Sequence, residues 1–136
     1  VDALGPDAPD RGPAGATDPI AKALYQWLGL DEAKAFPAEV LAALAKDLGA
    51  KLQEYGGRQV IHIAAPDLSD LQYQGSPDEV IEALSIAYKH IFEQFALSGL
   101  PRLRLPVLST GALSGEFEDD LAEFTAKAFT RAKQEL

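Results

Sequence analysis

The stretch RQVIHIAAP, Arg58 to Pro66, decides the fold of this chain. From Val60 to Ala65 it is almost continuously apolar, the pattern of a strand covered on both faces. Before it, Gly56-Gly57 reads as a turn and residues 50–54 as a short edge strand. After it comes SPDEVIEALSIAYKHIFEQFALSG, Ser76 to Gly99, with the clearest helix start in the chain. Ser76 stands at the cap, Pro77 at the first helical position, and Asp78 and Glu79 face the positive end of the dipole. Val80, Ile81, Leu84, Ala87, Tyr88, Ile91 and Phe95 recur at helical spacing, and Gly99 ends the run. PRLRLPVLS, Pro101 to Ser109, then reads as a second apolar strand. A strand, a long helix and a strand predict a right-handed βαβ crossover and a parallel, buried sheet, so the class is α/β.

The remaining segments read as helices and loops around that unit. TDPIAKALYQWLG carries Asp18 as N-cap, Pro19 at the first helical position and Gly29 past the end. Its expected buried stripe is Leu24, Trp27 and Leu28, with Ile20 one turn earlier. PAEVLAALAKDLG predicts a helix from Pro37 to Gly49, and EDDLAEFTAKAFTRAKQEL a last helix, acidic first and basic later. Residues 1–17 are rich in Pro, Gly, Asp and Ala and read as a loop or a mobile tail.

Composition narrows the function classes. A chain of 136 residues suits one domain, and its balance of apolar and charged residues is that of a soluble globular protein. No apolar run approaches the ~20 residues of a membrane span, and no signal-peptide pattern is present. The chain begins at Val1 and has no methionine, as expected of a piece of a longer or processed protein. The absence of cysteine excludes disulfides, thiolate catalysis and sulfur-ligated metals. His62 and His90 fall on different elements, which argues against zinc; His62 reads as a hydrogen-bonded core residue. A net charge of −9 without a basic cluster disfavours nucleic acid. An anionic ligand would have to be held by backbone N–H groups and helix ends.

Such groups are expected in LPVLSTGALSGEF, Leu105 to Phe117. Ligands of open α/β sheets bind beyond the carboxyl ends of the strands, where Ser109 to Gly115 would sit. Gly111 and Gly115 permit close backbone approach, while Ser109, Thr110 and Ser114 bring hydroxyls. Successive N–H groups of such a turn form an anion nest; an ordinary βα turn of small residues is the alternative. As a nucleophile Ser109 lacks the G-x-S-x-G elbow, and no histidine follows it. The acidic run Glu116, Glu118, Asp119 and Asp120 reads as a solvated helix start.

Three segments taken together resemble the macro domain family of ADP-ribose-binding modules. VIHIAAP is similar to that family's V-I-H-x-V-G-P strand, and IEALSIAYKHIFEQFALSG to its A-Y-x-x-x-L-x-x-A helix. LPVLSTGALSG is similar to its diphosphate loop, F-P-x-I-S-T-G-x-x-G. The three cover roughly Leu48 to Leu121 in the family's order. More loosely, VDAL stands where the family has V-N-A-A-N, and GPAGATDPIAKAL where it has a second phosphate loop and helix.

The resemblance implies one domain over residues 1–136, a three-layer α/β/α fold with a mixed, largely parallel sheet. It implies ADP-ribose, free or on a protein, as ligand, with no metal or further cofactor and an intracellular setting. The implied ligand residues are Ser109, Thr110, Gly111, Ala112, Leu113, Ser114 and Gly115, with Gly12, Gly15 and Ala16 from the second loop. Residues 1–17 would then be an ordered ligand loop. Asp18 would be the catalytic carboxylate if the chain hydrolyses ADP-ribosyl bonds; a protein-interaction domain without ligand is the remaining alternative. The chain departs from the family at Gly5, where hydrolases carry Asn, at Asp2, at Leu113, where an aromatic residue is usual, and at Ser114, an apparent insertion. The family's first strands and its last strand and helix have no counterpart between Val1 and Leu136.

Overall fold

A computed structural model describes residues 1–6 and 8–136. Asp7, inside the stretch read as a loop or tail, lies outside the described residues. The fold is mixed α/β. Strands β1 (Asp2–Leu4), β2 (Ala50–Tyr55) and β3 (Arg58–Ala64) form one sheet in the order β1-β3-β2. β1 runs parallel to β3, with Asp2 opposite His62, whereas β2 is antiparallel to it. The sheet is therefore small and mixed, not largely parallel. The hairpin follows from Gly56 and Gly57, both at positive φ, which is what a two-residue type I′ turn requires.

Helices α1 (Ala8–Arg11), α2 (Pro19–Leu28), α3 (Ala38–Leu44), α4 (Pro77–Ser98) and α5 (Leu121–Gln134) complete the chain, with short 3₁₀ turns between them. Side chains of β3 alternate between two cores. Val60 joins Tyr25, Leu28, Phe36, Val40 and Leu44 of the α2–α3 side. Ile61 and Ile63 join Val80, Leu84, Tyr88 and Ile91 of α4, with α5 packed behind them. The central strand is thus apolar on both faces because helices cover both.

Helix α4 begins and ends where its sequence signals stand, although the Ser76 hydroxyl makes no capping bond to it. Pro77 opens it, and Gly99 closes it in the left-handed region. Val80, Ile81, Leu84, Ala87, Tyr88 and Ile91 are buried, and Phe95 is half-buried. Asp18 caps α2, its Oδ1 accepting from the Ile20 N–H at 3.3 Å. α3 is shorter than expected and stops at Leu44, while α5 starts only at Leu121, after a 3₁₀ stretch that holds the acidic run.

Three expectations are corrected. Residues 101–108 form no strand, so the second strand of the expected βαβ crossover is absent. Pro101 and Pro106 have no N–H to give a ladder, and the neighbouring strand β1 is only three residues long. The segment still lies beside β1: the Arg104 carbonyl accepts from the Val1 amino group at 3.2 Å. In α2 the buried residues are Tyr25 and Leu28, whereas Trp27 is 49 % and Ile20 80 % exposed. Finally, the stretch read as a loop or tail contains β1, α1 and a 3₁₀ turn at Pro13–Gly15.

Candidate functional site

The loop after Leu108 and the segment after Leu4 meet at the carboxyl ends of β1 and β3. Ser109 Oγ donates to the Pro66 carbonyl at 2.6 Å, and the Leu68 N–H to the Leu113 carbonyl at 2.8 Å. These two bonds tie Ser109–Gly115 to the chain leaving β3. The Leu113 side chain rests on Gly5, where an added Cβ would lie 3.5 Å from Cδ1. Two of the four positions that depart from the resembled pattern are thus neighbours.

Backbone conformation at this loop is unusual. Ser109 is held at φ +62°, a left-handed conformation that costs a non-glycine residue on the order of 1 kcal/mol. Thr110 returns to φ −77°, and Gly111 lies at +64°. Among the described residues, the N–H groups of Thr110, Gly111 and Ala112 have no backbone acceptor, and those three residues are exposed. The hydroxyls are less free. Ser109 gives its proton to Pro66 and Ser114 to the Gly111 carbonyl at 2.7 Å, and both side chains are buried. Thr110 keeps the one exposed hydroxyl of the loop.

Tyr88 of α4 supports this loop from below. Its hydroxyl accepts from the Leu108 N–H at 3.0 Å and donates to the Pro106 carbonyl at 3.3 Å. The sequence marks Tyr88 only as a core residue, although a buried phenol on a helix stripe needs polar partners. Those partners are the backbone groups that no strand satisfies in residues 101–108.

The second loop is built differently. Gly12, at φ +72°, lies so close to Lys34 that a Cβ would stand 2.1 Å from its carbonyl oxygen. The N–H groups of Gly12, Gly15 and Ala16 donate to Ala8, Gly12 and Pro13, and that of Ala14 to Ala33. Gly12, Ala16 and Asp18 line a pocket of about 110 Å³ with Asp2, Arg11 and Tyr25. Gly15 is exposed outside it. On the other side of the 109–115 loop, Gly115 borders a shallow pocket of about 340 Å³ with Ser69, Gln74 and Glu116. Among the described residues, no group of three histidine, aspartate or glutamate side chains stands ready for a metal.

Below the small pocket lies a buried polar chain that sequence reasoning did not assemble. Asp2 Oδ2 accepts from the Tyr25 hydroxyl at 2.7 Å and pairs with His62 Nδ1 at 2.8 Å. His62 Nε2 meets the Tyr55 hydroxyl at 2.9 Å. Asp2, Tyr25 and His62 are all nearly inaccessible, and Phe36 packs edge-on against both Tyr25 and His62. The chain joins β1, β2, β3 and α2 in one network.

All four tyrosines hold their protons tightly. Burial is the main cause in each; the Asp2 charge adds to it at Tyr25 and Tyr55, and Tyr55 is pushed up to about 12. A phenol with a raised folded value stays protonated in the folded chain when the unfolded chain has released its proton. Stability is therefore complete below pH ~10 and falls as the pH rises further, by about 1.4 kcal/mol per pH unit for each such phenol. Tyrosinate absorbance is expected to appear together with loss of near-ultraviolet dichroism above pH ~10. Ionisation of two or more tyrosines in a chain that keeps its native dichroism would contradict this burial.

Comparison with protein-family models finds none that matches this chain, and comparison with curated proteins finds no match either.

Proposed function

We propose that this chain is a macro-type binding module for ADP-ribose, free or attached to a protein, on a three-layer α/β/α fold. The observation that carries the reading is the loop Ser109–Ala112. It combines a strained serine, a glycine of positive φ and three exposed residues whose N–H groups have no backbone acceptor among the described residues, at the carboxyl end of a parallel strand pair. Turns of this kind present N–H groups to an anion, which suits a protein of net charge −9. The diphosphate would lie over Thr110 to Ala112, with Leu113 and Gly5 toward the distal ribose.

Calorimetric titration with ADP-ribose tests this. Gly111 has open space around it, so Gly111→Asp and Gly111→Asn both fit, and both residues tolerate positive φ. The aspartate variant is expected to bind at least about tenfold more weakly than the asparagine variant, because only its charge opposes the diphosphate. Absence of heat from the parent protein would sink the proposal.

A second reading, a domain of this type that has lost its ligand and serves protein interaction, is favoured by the second loop. The N–H groups of Gly12, Gly15 and Ala16 are already taken by carbonyls, and Asp2 and Asp18 outnumber Arg11 around the small pocket. The same titration separates the two. A hydrolase would rest on Asp18, which is exposed and caps α2. A mono-ADP-ribosylated protein that keeps its label over hours in its presence removes that reading.

A further inference from the structure

The buried polar chain leaves one oxygen unused, and that oxygen belongs to a residue that borders a pocket. Asp2 Oδ2 accepts from both Tyr25 Oη and His62 Nδ1, at 2.7 and 2.8 Å. Asp2 Oδ1 has no hydrogen-bond partner among the described residues. It is not sealed in either, since Thr125 Oγ1 is the one sealed side-chain atom without a partner among those residues. Asp2 as a whole is only 4 % exposed, and it lines the pocket of about 110 Å³ at the carboxyl end of β1. A carboxylate oxygen so far from bulk water costs free energy until a donor meets it.

The pocket limits what that donor can be. Its volume lies far below the ~300 Å³ at which sites for drug-sized ligands begin, so it takes a head group and not a whole ligand. Leu4, Ala8 and Ala21 give it apolar walls, which weaken the screening of any charge inside. Two carboxylates, Asp2 and Asp18, border it against one guanidinium, that of Arg11. Arg11 is exposed and forms no ion pair among the described residues. The amides of Gly12, Gly15 and Ala16 are already bonded to carbonyls, so nothing in that loop offers an anion the donors it needs. The excess charge is negative, and it favours a cation.

Geometry narrows the cation further. A guanidinium gains most from a carboxylate that offers both oxygens to its fork. Here Oδ2 is committed to two donors and Oδ1 alone is left. A single oxygen suits the compact point charge of an ammonium group.

We propose that this pocket binds a primary ammonium group, of a small amine or of a lysine side chain, on Asp2 Oδ1. Asp18 adds charge at the exposed rim, and Arg11 opposes the cation from α1. The inference does not rest on the ADP-ribose reading, because Thr110, Gly111 and Ala112 do not border this pocket.

The test is a titration of the isotope-labelled 136-residue chain with methylammonium chloride at constant ionic strength, followed by amide chemical shifts. Saturable shifts are expected at Ala3, Gly5, Gly12 and Ala21, which line the pocket, with a Kd in roughly the millimolar range. Tetramethylammonium, which has the charge but no N–H, and guanidinium are each expected to bind at least about fivefold more weakly. Nα-acetyl-lysine amide identifies the source: shifts at the same amides assign a side chain, and shifts with methylammonium alone assign a free amine. Asp2 is a poor residue to mutate, because it also holds the core. Ala21→Leu fills the pocket from a half-buried helix position and is expected to abolish the shifts while the circular dichroism stays native. Arg11→Gln is expected to tighten binding severalfold. Shifts no larger than those given by sodium would overturn the site, and so would undiminished binding to Ala21→Leu. Weaker binding to Arg11→Gln would overturn the sign of the charge. Tetramethylammonium or guanidinium binding as tightly as methylammonium would overturn recognition through one oxygen. ADP-ribose that fails to shift Thr110 to Ala112 would count against the ADP-ribose reading and leave this site standing.

Discussion

Asp2→Ala is expected to lose roughly 3–5 kcal/mol of folding stability, a large part of what a domain of this size possesses. The carboxylate is the common acceptor of two buried donors, Tyr25 Oη and His62 Nδ1, at 2.7 and 2.8 Å. Removing it orphans both, and each buried unsatisfied group costs about 1–3 kcal/mol. On one side Phe36 packs against both rings and excludes a polar replacement for the lost oxygen. Tyr25→Phe is the informative companion. It removes one donor, leaves the Asp2–His62 pair intact and should cost only about 1–2 kcal/mol. Urea unfolding of the three proteins checks the ranking. An Asp2→Ala cost within about 1 kcal/mol of that of Tyr25→Phe would mean that His62 is satisfied without Asp2. The consequence reaches the site, because Asp2 anchors the three-residue β1 that leads into Gly5 and the Gly12–Ala16 loop.

How much of this was legible beforehand depended on how local each signal was. The start of α4 at Ser76-Pro77, its end at Gly99 and its buried stripe are written within one stretch, and the structure follows them. The Gly56-Gly57 hairpin is equally local. Pro101–Ser109 misled because hydropathy counts side chains, whereas a ladder needs N–H groups that Pro101 and Pro106 lack. Hydropathy also put Trp27 and Ile20 in the core, whereas the helix buries Tyr25 and Leu28 and leaves Trp27 and Ile20 exposed. The polar chain was hidden for another reason. Asp2, Tyr25, Tyr55 and His62 come from four elements, and no spacing rule joins them. Of the candidate site residues, Thr110, Gly111 and Ala112 have amides with no backbone acceptor among the described residues, whereas the hydroxyls of Ser109 and Ser114 and the amides of Gly12, Gly15 and Ala16 serve the loops themselves.

That division of labour within one loop gives the last expected result: Gly115→Ala should cost roughly 3 kcal/mol, and Gly111→Ala only about 1. Both glycines sit at positive φ, +56° and +64°, so both substitutions meet the same left-handed penalty of about 1–2 kcal/mol. Their surroundings differ. A Cβ on Gly111 meets nothing within 4 Å, whereas one on Gly115 would stand 2.5 Å from the Leu68 carbonyl oxygen. That oxygen is backbone in the turn after β3, and the neighbouring Leu68 N–H is already bonded to Leu113. The contact cannot open by a side-chain rotation; the 109–115 loop must shift as a unit. Gly115→Ala is therefore expected to reduce stability, and with it any ADP-ribose binding under the proposed function, while Gly111→Ala leaves the fold nearly intact. Parallel urea titrations decide it, and equal costs at the two positions would mean that Gly115 is not packed against Leu68. The closeness of Gly115 to that backbone also gives the two glycines different surroundings: Gly115 packs the loop onto the turn after β3, and Gly111 lies in open space.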